Sequence, residues 1–562
     1  MVSYSFSTFP LLLAAGAALV AGQNLPVVDL GITVHRAQLD PAGEFYIFKN
    51  IPYAEPPVGN LRFRHPIPYL HVNRTVNDGS APQVCPQAGP GWFQFSIPLV
   101  LQRLAEGGIT APPGPPPTTP QVQSEDCLLL DVSVPKPALD AKQSGTLNKA
   151  LPVMLWIHGG AYTEGSKDGV DPAGLIAQSR RNGQDGIVFV SINYRLGLFG
   201  FPPRKPWMWD VASNAGLYDQ RLALEWVRSN TRRFSGDPNA ITVIGESAGA
   251  GSIVGHLSAF GGIDGTSPFK RAIIQSPAIK PFQDAALYTQ LYDQLLAVSN
   301  TTGYSELRAL SLDQLAGVNS AMVGTAPFAS SVFGPNVDGL FVPSHPGRLL
   351  ATGRVDSAVE VVVAYNLDEG LLFTDPRVGD TAGFEAYLSG LMPSLPAAKV
   401  RHLSTAVYPA DFSGAALPYT DQIGRTRLAI AEGLIDCFAF GTALAYANRT
   451  RAYQFAVFPG MHAQDVAYTF FGRGEEDVAD GFGVPVEREV ARRMQAWFVD
   501  FAMFGFTEGG AGGEGNAVLE LPVYTGEANV MNITGSGEGG FEVVRDPAAN
   551  GRCRFWLEGL SA

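Results

Sequence analysis

The sequence predicts an α/β fold with a mostly parallel central sheet and helices on both faces. Six short apolar runs, rich in β-branched residues and bounded by turn-forming residues, cover 153–157, 187–192, 241–244, 272–274, 359–364 and 452–457. Nearly continuous apolar runs are typical of parallel strands buried on both faces, because half-exposed strands alternate apolar and polar residues. A helical pattern at 218–228 separates the second and third runs, and an amphipathic pattern at 486–504 follows the last. Strands alternating with helices indicate a parallel sheet with crossover helices.

Length and composition favour one large buried core. The chain has 562 residues, of which 46% are hydrophobic and only 16% are charged, so extensive disorder is not expected. Large α/β folds often exceed the usual domain size, and we expect residues 23–562 to form a single domain. The Pro-rich segment 111–120 and the Gly-rich segment 509–515 are expected to be surface loops.

The net charge and the apolar segments indicate which partners the protein can bind and where it is located. The formal net charge is −13 and no basic cluster is present, so we expect no nucleic-acid partner. Residues 1–22 are typical of a signal peptide, since the apolar stretch 9–20 is too short to span a bilayer and small residues follow it. No other segment has 18 consecutive apolar residues and no lipid-anchor tail is visible, so no integral membrane segment is expected. These features predict a protein that is secreted or held in the secretory-pathway lumen.

Four cysteines and four glycosylation sequons fit a secretory route. The cysteines allow three pairings, of which nearest-neighbour pairing joins the first two and the last two; they are Cys85, Cys127, Cys437 and Cys553. Their spacing excludes a zinc knuckle, so we expect a structural role and no metal site. The Asn-x-Ser/Thr sequons lie at Asn73, Asn300, Asn448 and Asn532.

The most informative motif is Gly-Glu-Ser-Ala-Gly at 245–249, directly after the predicted strand 241–244. A serine hydroxyl becomes a good nucleophile when a tight strand-to-helix turn exposes it beside a base, and small residues two positions away on each side let that turn close. Residues 250–257 are small and apolar enough to form the helix that follows, and its N-terminus favours a developing oxyanion. Taken alone, the pattern also fits an ordinary glycine turn. Ser247 is the candidate nucleophile if the chain also supplies a base, an acid and an oxyanion hole.

A second glycine-rich turn, His-Gly-Gly-Ala at 158–161, follows the predicted strand 153–157. Its backbone N–H groups are expected at the carboxyl edge of the sheet, where an oxyanion hole belongs. Two of them, with the N–H of Ala248, would surround the negative oxygen of a tetrahedral intermediate.

The candidate base is one of the histidines that follow Ser247, because enzymes with this elbow carry serine, acid and histidine in that order. His256 lies further along the next helix, about 13 Å away by helical rise. His345 occupies a proline-flanked turn, and His402 lies in a polar helical stretch. His462 alone follows a predicted strand, the last of the six, which places its imidazole at the carboxyl edge of the sheet.

The acid is expected between the serine and the histidine. Asp-Glu-Gly at 368–370 follows the predicted strand 359–364 and offers two adjacent carboxylates at the same edge of the sheet. Either Asp368 or Glu369 would fix the tautomer of His462 and stabilise its imidazolium, so local sequence leaves both open.

Several ordered motifs resemble the type-B carboxylesterase and lipase family, which includes the cholinesterases, over nearly the whole chain beyond the signal peptide. They are Val-Asp-Leu-Gly at 28–31, Phe-Lys-Asn-Ile-Pro-Tyr-Ala at 48–54, Ser-Glu-Asp-Cys-Leu-Leu-Leu-Asp-Val at 124–132, Asn-Tyr-Arg-Leu-Gly at 193–197 and Asn-Ala-Gly-Leu-Tyr-Asp-Gln at 214–220. The resemblance implies an α/β-hydrolase fold and a secreted, fungal-type serine carboxylesterase that needs no cofactor or metal. Its expected substrate is a small or lipophilic ester, processed through an acyl-enzyme.

The resemblance also assigns individual residues. It implies Glu369 as the acid and His462 as the base, because the family uses the second carboxylate of the Asp-Glu-Gly turn. It implies an oxyanion hole formed by Gly160, Ala161 and Ala248. It further implies the disulfide pairs Cys85 with Cys127 and Cys437 with Cys553.

Two departures from the family pattern bear on specificity. Ala161 stands where many members carry a third glycine, although its N–H is retained. Pro117 stands where cholinesterases carry a tryptophan, so choline selectivity is not expected. Trp92 lies elsewhere in the long loop between Cys85 and Cys127. Its position fits both a lid or gorge wall and a place in the core.

Two other functions use the same fold. One is acyl transfer, or an elimination or lactone-processing step, in small-molecule biosynthesis on the same three side chains. The other is a non-catalytic binding protein, whose known types lose the serine or the histidine; both residues are present here.

Overall fold

A computed structural model of the protein describes residues 25–80, 83–109, 122–281, 285–472, 478–507 and 516–559. The predicted signal peptide at 1–22 and the predicted loops at 111–120 and 509–515 lie outside the described residues.

The described part of the chain alternates strands and helices. The strands are β1 Val27–Asp29, β2 Thr33–Arg36, β3 Gln38–Leu39, β4 Phe45–Pro52, β5 Asn73–Asn77, β6 Gln83–Val84, β7 Val122–Gln123, β8 Leu129–Pro135, β9 Leu151–Ile157, β10 Val188–Ile192, β11 Gly236–Glu246, β12 Arg271–Gln275, β13 Glu360–Asn366, β14 Thr450–Phe455, β15 Asn529–Ile533 and β16 Phe541–Arg545. The α-helices are α1 Ile97–Glu106, α2 Lys136–Gln143, α3 Ala173–Ser179, α4 Gly197–Gly200, α5 Ala215–Asn230, α6 Ala248–Leu257, α7 Ala285–Ser299, α8 Tyr304–Ala309, α9 Leu312–Gly324, α10 Pro346–Ala351, α11 Thr381–Leu391, α12 Ala397–His402, α13 Gln422–Ala431, α14 Cys437–Ala445, α15 Gln464–Thr469, α16 Arg488–Phe504 and α17 Gly551–Arg554.

One large sheet organises these elements. Among the described residues it has eleven strands in the order β16-β15-β14-β13-β12-β11-β9-β10-β8-β4-β3. All pairs from β15 to β10 are parallel, whereas β16 on one side and β8, β4 and β3 on the other pair antiparallel. The predicted fold class is therefore confirmed.

The six predicted strands correspond to β9 to β14, and the helices predicted at 218–228 and 486–504 correspond to α5 and α16. Strands outside these six were not predicted from apolar runs. β15 contains two asparagines within five residues, so it forms no apolar run. α5 ends at Asn230, and residues 236–238 already belong to the start of β11.

Two apolar layers cover the sheet, one on each face. Alternate residues of one strand enter different layers: Val153 and Leu155 of β9 join one, and Met154 and Trp156 join the other. The first layer is closed by α5, α6 and α14, and the second by α3 and α16. Burial on both faces accounts for the continuous apolar runs of the central strands.

The family-like motifs build buried ion pairs that hold loops at the sheet edge. Arg195 binds Asp219 with its guanidinium at 2.6 and 2.8 Å and with its backbone N–H at 3.0 Å. Arg62 binds Glu125 with two further bonds of 2.5 and 2.7 Å. Because each charge is paired and hydrogen-bonded, these pairs are stable away from water.

Both disulfides implied by the resemblance are present. Cys85 is bonded to Cys127, and Cys437 is bonded to Cys553. The second bond ties the start of α14 to α17 across 116 residues of sequence.

Replacing Cys437 and Cys553 together with alanine is expected to destabilise the fold. A cross-link that closes so long a loop restricts the unfolded chain, and we expect the free energy of unfolding to fall by about 3–5 kcal/mol. Guanidinium unfolding of the oxidised proteins measures this difference. Under reducing conditions the wild-type and variant proteins should unfold at the same guanidinium concentration. Equal unfolding midpoints for the two oxidised proteins would contradict the expectation.

One helical stretch in the described residues, Gln422–Ala445, is long and apolar enough to cross a membrane by length and composition. Within this fold, 78% of its most apolar window is buried. That burial is typical of a core helix, and the stretch packs beneath the sheet as α13 and α14.

Candidate active site

Ser247 occupies the turn between β11 and α6. Its backbone has φ 56° and ψ −122°, a conformation that non-glycine residues rarely adopt and that strained functional turns retain. A Cβ on Gly249 would lie 2.0 Å from the carbonyl oxygen of Ile157, and one on Gly245 would lie 2.8 Å from the Gly249 carbonyl carbon. The two glycines therefore allow the turn to close against β9, and the predicted elbow has the expected geometry.

His462 lies beside this serine, in the loop between β14 and α15. Its Nε2 is 2.9 Å from the Ser247 Oγ, and its Nδ1 is 2.5 Å from the Glu369 Oε2. The imidazole is only 5% exposed. One ring nitrogen thus faces the hydroxyl and the other faces a carboxylate, which is the arrangement a general base needs.

The structure brings Glu369, not Asp368, to the histidine. Glu369 is fully buried, and its Oε1 accepts hydrogen bonds from the backbone N–H of Asn366 at 2.5 Å and from the Asn366 side chain at 3.4 Å. Asp368 points away and accepts hydrogen bonds from Nε and Nη2 of Arg427. The neighbouring acids therefore have different partners, which local sequence did not reveal.

The other three candidate histidines have structural partners. His256 is buried at the end of α6, where its Nε2 lies 3.1 Å from the Gln220 side-chain oxygen. His345 precedes α10, and its Nδ1 accepts the N–H of Gly347. His402 ends α12 beside the Phe555 ring. None of them lies next to Ser247.

The turn at 159–161 lies directly against the serine. A Cβ on Gly159 would be 3.1 Å from the Ser247 Cβ. Gly160 has a φ of +99°, and a Cβ there would be 2.1 Å from the backbone carbonyl oxygen of Glu164. Ala161 has φ +53°, which alanine tolerates at some cost in place of glycine. The N–H groups of Gly160, Ala161 and Ala248 have no acceptor within the described ranges. They are thus available to an oxygen placed beside Ser247.

A hydrogen bond from Tyr194 holds this turn from behind. The Tyr194 hydroxyl donates to the His158 carbonyl at 2.8 Å, and the two rings stack with centroids 4.4 Å apart. The N–H of Gly197 also donates to the Tyr162 carbonyl at 2.8 Å. The Asn-Tyr-Arg-Leu-Gly motif therefore supports the candidate oxyanion hole.

Two acids raise the pKa of His462. Burial alone would lower it, but Glu246, 3.3 Å from Nε2, and Glu369 outweigh burial and raise it to about 9. Burial also raises the pKa of Glu246 to about 8. Below that pH Glu246 is largely neutral, so the charge of Glu369 contributes most to the raised pKa of His462. The contribution of Glu246 to that pKa grows as Glu246 ionises.

Replacing Glu246 with glutamine should move the acid limb of the pH–rate profile. A general base must be unprotonated, so kcat/KM rises as His462 loses its proton. Without the Glu246 charge the pKa of His462 falls, and the midpoint should move to lower pH by about 1 unit. Profiles with a neutral ester measure both midpoints. Coincident profiles for the two proteins would rule out this electrostatic role.

A buried polar network behind Glu369 was not anticipated from the sequence. The Asn366 amide donates to Ser276 Oγ at 3.0 Å and to Asp465 at 3.3 Å, and Gln275 donates to Asp465 at 2.8 Å. Burial and the nearby Glu369 raise the pKa of Asp465 to about 6. These residues fix the loop that carries the acid. Their separation in sequence, from 275 to 465, hides the network from local patterns.

The loop that follows Cys85 packs onto the site. Trp92 is buried, its indole N–H donates to the Ser330 carbonyl at 3.0 Å, and its ring lies 5.2 Å from Phe328 and 6.0 Å from Phe373. Phe373 in turn contacts the His462 ring at 5.1 Å. Trp92 is therefore a packed residue in an aromatic wall that reaches the candidate base.

No group of three or more His, Cys, Asp or Glu side chains in the described ranges is placed to hold a metal ion.

A serine at a strand-to-helix elbow, a histidine and a buried carboxylate at the carboxyl edge of this sheet define a serine hydrolase of the α/β-hydrolase fold. Comparison with known proteins agrees. The model of the carboxylesterase family matches residues 30–418, and the chain belongs to that family.

Curated relatives are carboxylic ester hydrolases. Carboxylesterase patB of Penicillium expansum is 34% identical over 568 residues and covers 98% of both chains. Lipase 5 of Diutina rugosa is 35% identical over 379 residues, covering 65% of this chain and 66% of its own. The crystal structure of Aspergillus niger EstA superposes with a TM-score of 0.74 at 24% identity, covering 95% of this chain and 98% of its own, and so shares the fold. The protein is an enzyme that hydrolyses carboxylic esters.

Proposed function

We propose that Ser247, His462 and Glu369 catalyse this hydrolysis through an acyl-enzyme, on a small or lipophilic ester. The observation that carries the proposal is the unbroken chain of contacts from the Ser247 Oγ through both His462 nitrogens to the buried Glu369. Each member follows a different strand of the sheet, β11, β13 or β14.

In the first half-reaction the Ser247 Oγ attacks the ester carbonyl while His462 Nε2 takes its proton. Negative charge then collects on the former carbonyl oxygen, and the N–H groups of Gly160, Ala161 and Ala248 donate to it. Glu369 stabilises the imidazolium through Nδ1. His462 next gives the proton to the departing alcohol, leaving the acyl group on Ser247.

In the second half-reaction water takes the place of the alcohol. His462 removes a proton from the water, whose oxygen attacks the acyl carbonyl, and the same N–H groups stabilise the second tetrahedral intermediate. Its collapse breaks the bond to the Ser247 Oγ, which regains a proton from His462, and the free acid leaves.

Turnover of p-nitrophenyl esters of increasing acyl length, combined with organophosphonate labelling, tests the assignment. We expect one label on Ser247, loss of turnover on labelling, and a rate that depends on chain length. Labelling without hydrolysis would favour acyl transfer instead. Hydrolysis that continues with Ser247 labelled would overturn the mechanism.

We further propose that residues 1–22 are a signal peptide, that 23–562 form one domain, and that the enzyme is a secreted glycoprotein. One sheet takes strands from Gln38 to Arg545, which supports the single domain. Two disulfides fit an oxidising compartment. Relatives include the secreted triacylglycerol lipase LIP1 of Gibberella zeae, 32% identical over 365 residues, 62% of this chain and 59% of its own.

Three of the four sequons are suited to carry a glycan. Asn73, Asn300 and Asn448 are exposed. Asn532 is the exception, because it lies within β15, between β14 and β16, and its side-chain oxygen is buried. We therefore expect no glycan on Asn532. Peptide mapping of the secreted protein should find glycans on the first three sequons; a glycan on Asn532, or a mature N-terminus far from residue 23, would contradict these assignments.

A further inference from the structure

Two tryptophans are exposed in the connection between β10 and α5, within residues 203–210, here called the tryptophan turn. Trp207 is 67% exposed and Trp209 is 83% exposed. The other five tryptophans of the chain are buried or partly buried in the two apolar layers. An indole side chain that packs removes about 150–250 Å² of surface from water. Two that stay exposed at neighbouring positions therefore indicate a surface that contacts a partner.

Contacts on both sides hold the tryptophan turn in place. The Tyr304 hydroxyl donates to the Pro203 carbonyl at 2.5 Å. Arg308 donates to the Asp210 carbonyl at 3.0 Å and to its carboxylate at 2.8 Å. Met208, between the two tryptophans, packs against the core. The turn is thus fixed by its backbone and by Met208, and the exposed indoles contribute little to holding it.

The tryptophan turn belongs to a connection that lies on the active-site side of the sheet. This connection leaves the carboxyl end of β10 at Asn193 and enters α5 at Ala215, and the chain then crosses back to the start of β11. Because β9, β10 and β11 are parallel, both ends of the connection lie at the carboxyl edge, where Ser247 also lies. A surface bound at the tryptophan turn therefore meets the enzyme on the side that carries Ser247.

The other side chains of the tryptophan turn suit a lipid better than a saccharide. Residues 201–209 are Phe-Pro-Pro-Arg-Lys-Pro-Trp-Met-Trp and include no hydroxyl, amide or carboxylate side chain. The hydroxyl groups of a saccharide need hydrogen-bond acceptors, which this segment does not offer from its side chains. Arg204 lies 5.7 Å over the Trp209 ring, and its hydrogen bonds within the described residues go to Ser213 Oγ and the Pro206 carbonyl. Its charge is therefore available to a phosphate.

The exposed apolar area is too small for a stable protein interface. Two indoles offer about 300–500 Å² at most, whereas each partner in a stable complex contributes about 800 Å². A lipid surface needs no complementary shape. Indole rings settle at the level of the lipid headgroups, and cationic side chains beside them bind the lipid phosphates.

We propose that the tryptophan turn docks the enzyme on a phospholipid surface, with Trp207 and Trp209 among the headgroups and Arg204 at the phosphates. Docking brings lipophilic esters dissolved in that surface to the active-site side of the enzyme. The docking itself does not depend on the catalytic assignments, and only this delivery of esters rests on the proposed function.

Co-sedimentation of the full-length enzyme with vesicles made of equal parts phosphatidylcholine and phosphatidylglycerol tests the docking. Replacing Trp207 and Trp209 together with serine should weaken binding about tenfold or more, and Arg204→Gln should weaken it about fivefold. Leu340→Ser is the control, because Leu340 is 62% exposed and lies outside the turn. Ser247→Ala should bind like wild type, so a failed catalytic assignment would not affect this result.

Tryptophan fluorescence locates the contact. Vesicles that carry brominated phosphatidylcholine should quench the wild-type protein, because bromine quenches only indoles that enter the lipid. The double tryptophan variant should not be quenched, since its five remaining indoles lie within the fold.

Kinetics test the delivery of esters. The double variant should hydrolyse soluble p-nitrophenyl acetate within about twofold of wild type, which also shows that it is folded. Its rate on p-nitrophenyl palmitate dissolved in the vesicles should fall about tenfold. Equal effects on the two esters would overturn the delivery.

Several outcomes would overturn the docking proposal. They are no sedimentation of wild type with the vesicles, equal binding of wild type and the double variant, or an equal loss in Leu340→Ser. Binding to insoluble cellulose that requires the two tryptophans, without binding to vesicles, would instead make the turn a saccharide site. A dimer in the absence of lipid that the double substitution dissociates would make it a protein interface.

Discussion

Replacing Ser247 with alanine is expected to lower kcat/KM for a p-nitrophenyl ester by about 10⁴–10⁶-fold. The hydroxyl is the attacking group in the proposed mechanism, and the His462 Nε2 that faces it at 2.9 Å would have no proton to accept. The side chain is small and sits at a turn held by Gly245 and Gly249, so the fold should be unaffected. Initial rates with matched protein concentrations measure the loss.

Ser258→Ala is the matched control for this variant. Ser258 is also buried, and its hydroxyl donates to the Val254 carbonyl beside the end of α6. Its removal should leave kcat/KM within a few-fold of wild type. If Ser247→Ala kept more than about a hundredth of the activity, another nucleophile would have to be sought.

Replacing Glu369 with glutamine should lower kcat by about 10⁴-fold, the second largest effect we expect. The amide keeps the size of the side chain but loses the charge that stabilises the His462 imidazolium. It also offers an N–H where Nδ1 requires an acceptor at 2.5 Å, which favours the wrong tautomer. Steady-state kinetics over a range of pH measure the loss.

Asp368→Asn is the control for this substitution, since the two acids are adjacent in sequence. Asp368 binds Arg427 rather than His462, so its loss should affect stability more than catalysis. We expect a change in kcat of about tenfold or less. A greater loss of activity in Asp368→Asn than in Glu369→Gln would reverse the assignment of the acid.

Much of the fold was predictable because its central strands are buried on both faces. That burial makes each of β9 to β14 an apolar run, which can be recognised from its own residues without knowledge of the adjacent strands. The strands near the two edges of the sheet were less visible in the sequence. β15 contains two asparagines, and β3 has only two residues, so neither carries a periodic signal.

The site was predictable where chemistry and topology coincide. Ser247, His462 and the acid each follow a strand, and a parallel sheet brings such positions to one edge. The choice between Asp368 and Glu369 depended on side-chain direction, which only the fold and the family resemblance supply. The support from Asn366, Gln275 and Asp465 depended on contacts across almost 200 residues of sequence.

Trp92 shows how packing settles what composition leaves open. Its neighbours in sequence include Phe93 and Phe95, which are both nearly half exposed, while Trp92 itself is 6% exposed. The difference comes from Phe328 and Phe373, which lie far away in the chain and close around its ring. Local sequence therefore identified an apolar loop but not the residue that packs.

Mass spectrometry of the enzyme quenched in acid during turnover of p-nitrophenyl acetate tests the acyl-enzyme mechanism most directly. We expect an acetyl group on the peptide that contains Ser247 in the wild-type protein and none in Ser247→Ala. An acetyl group on another residue, or none on Ser247 while the ester is being hydrolysed, would contradict it.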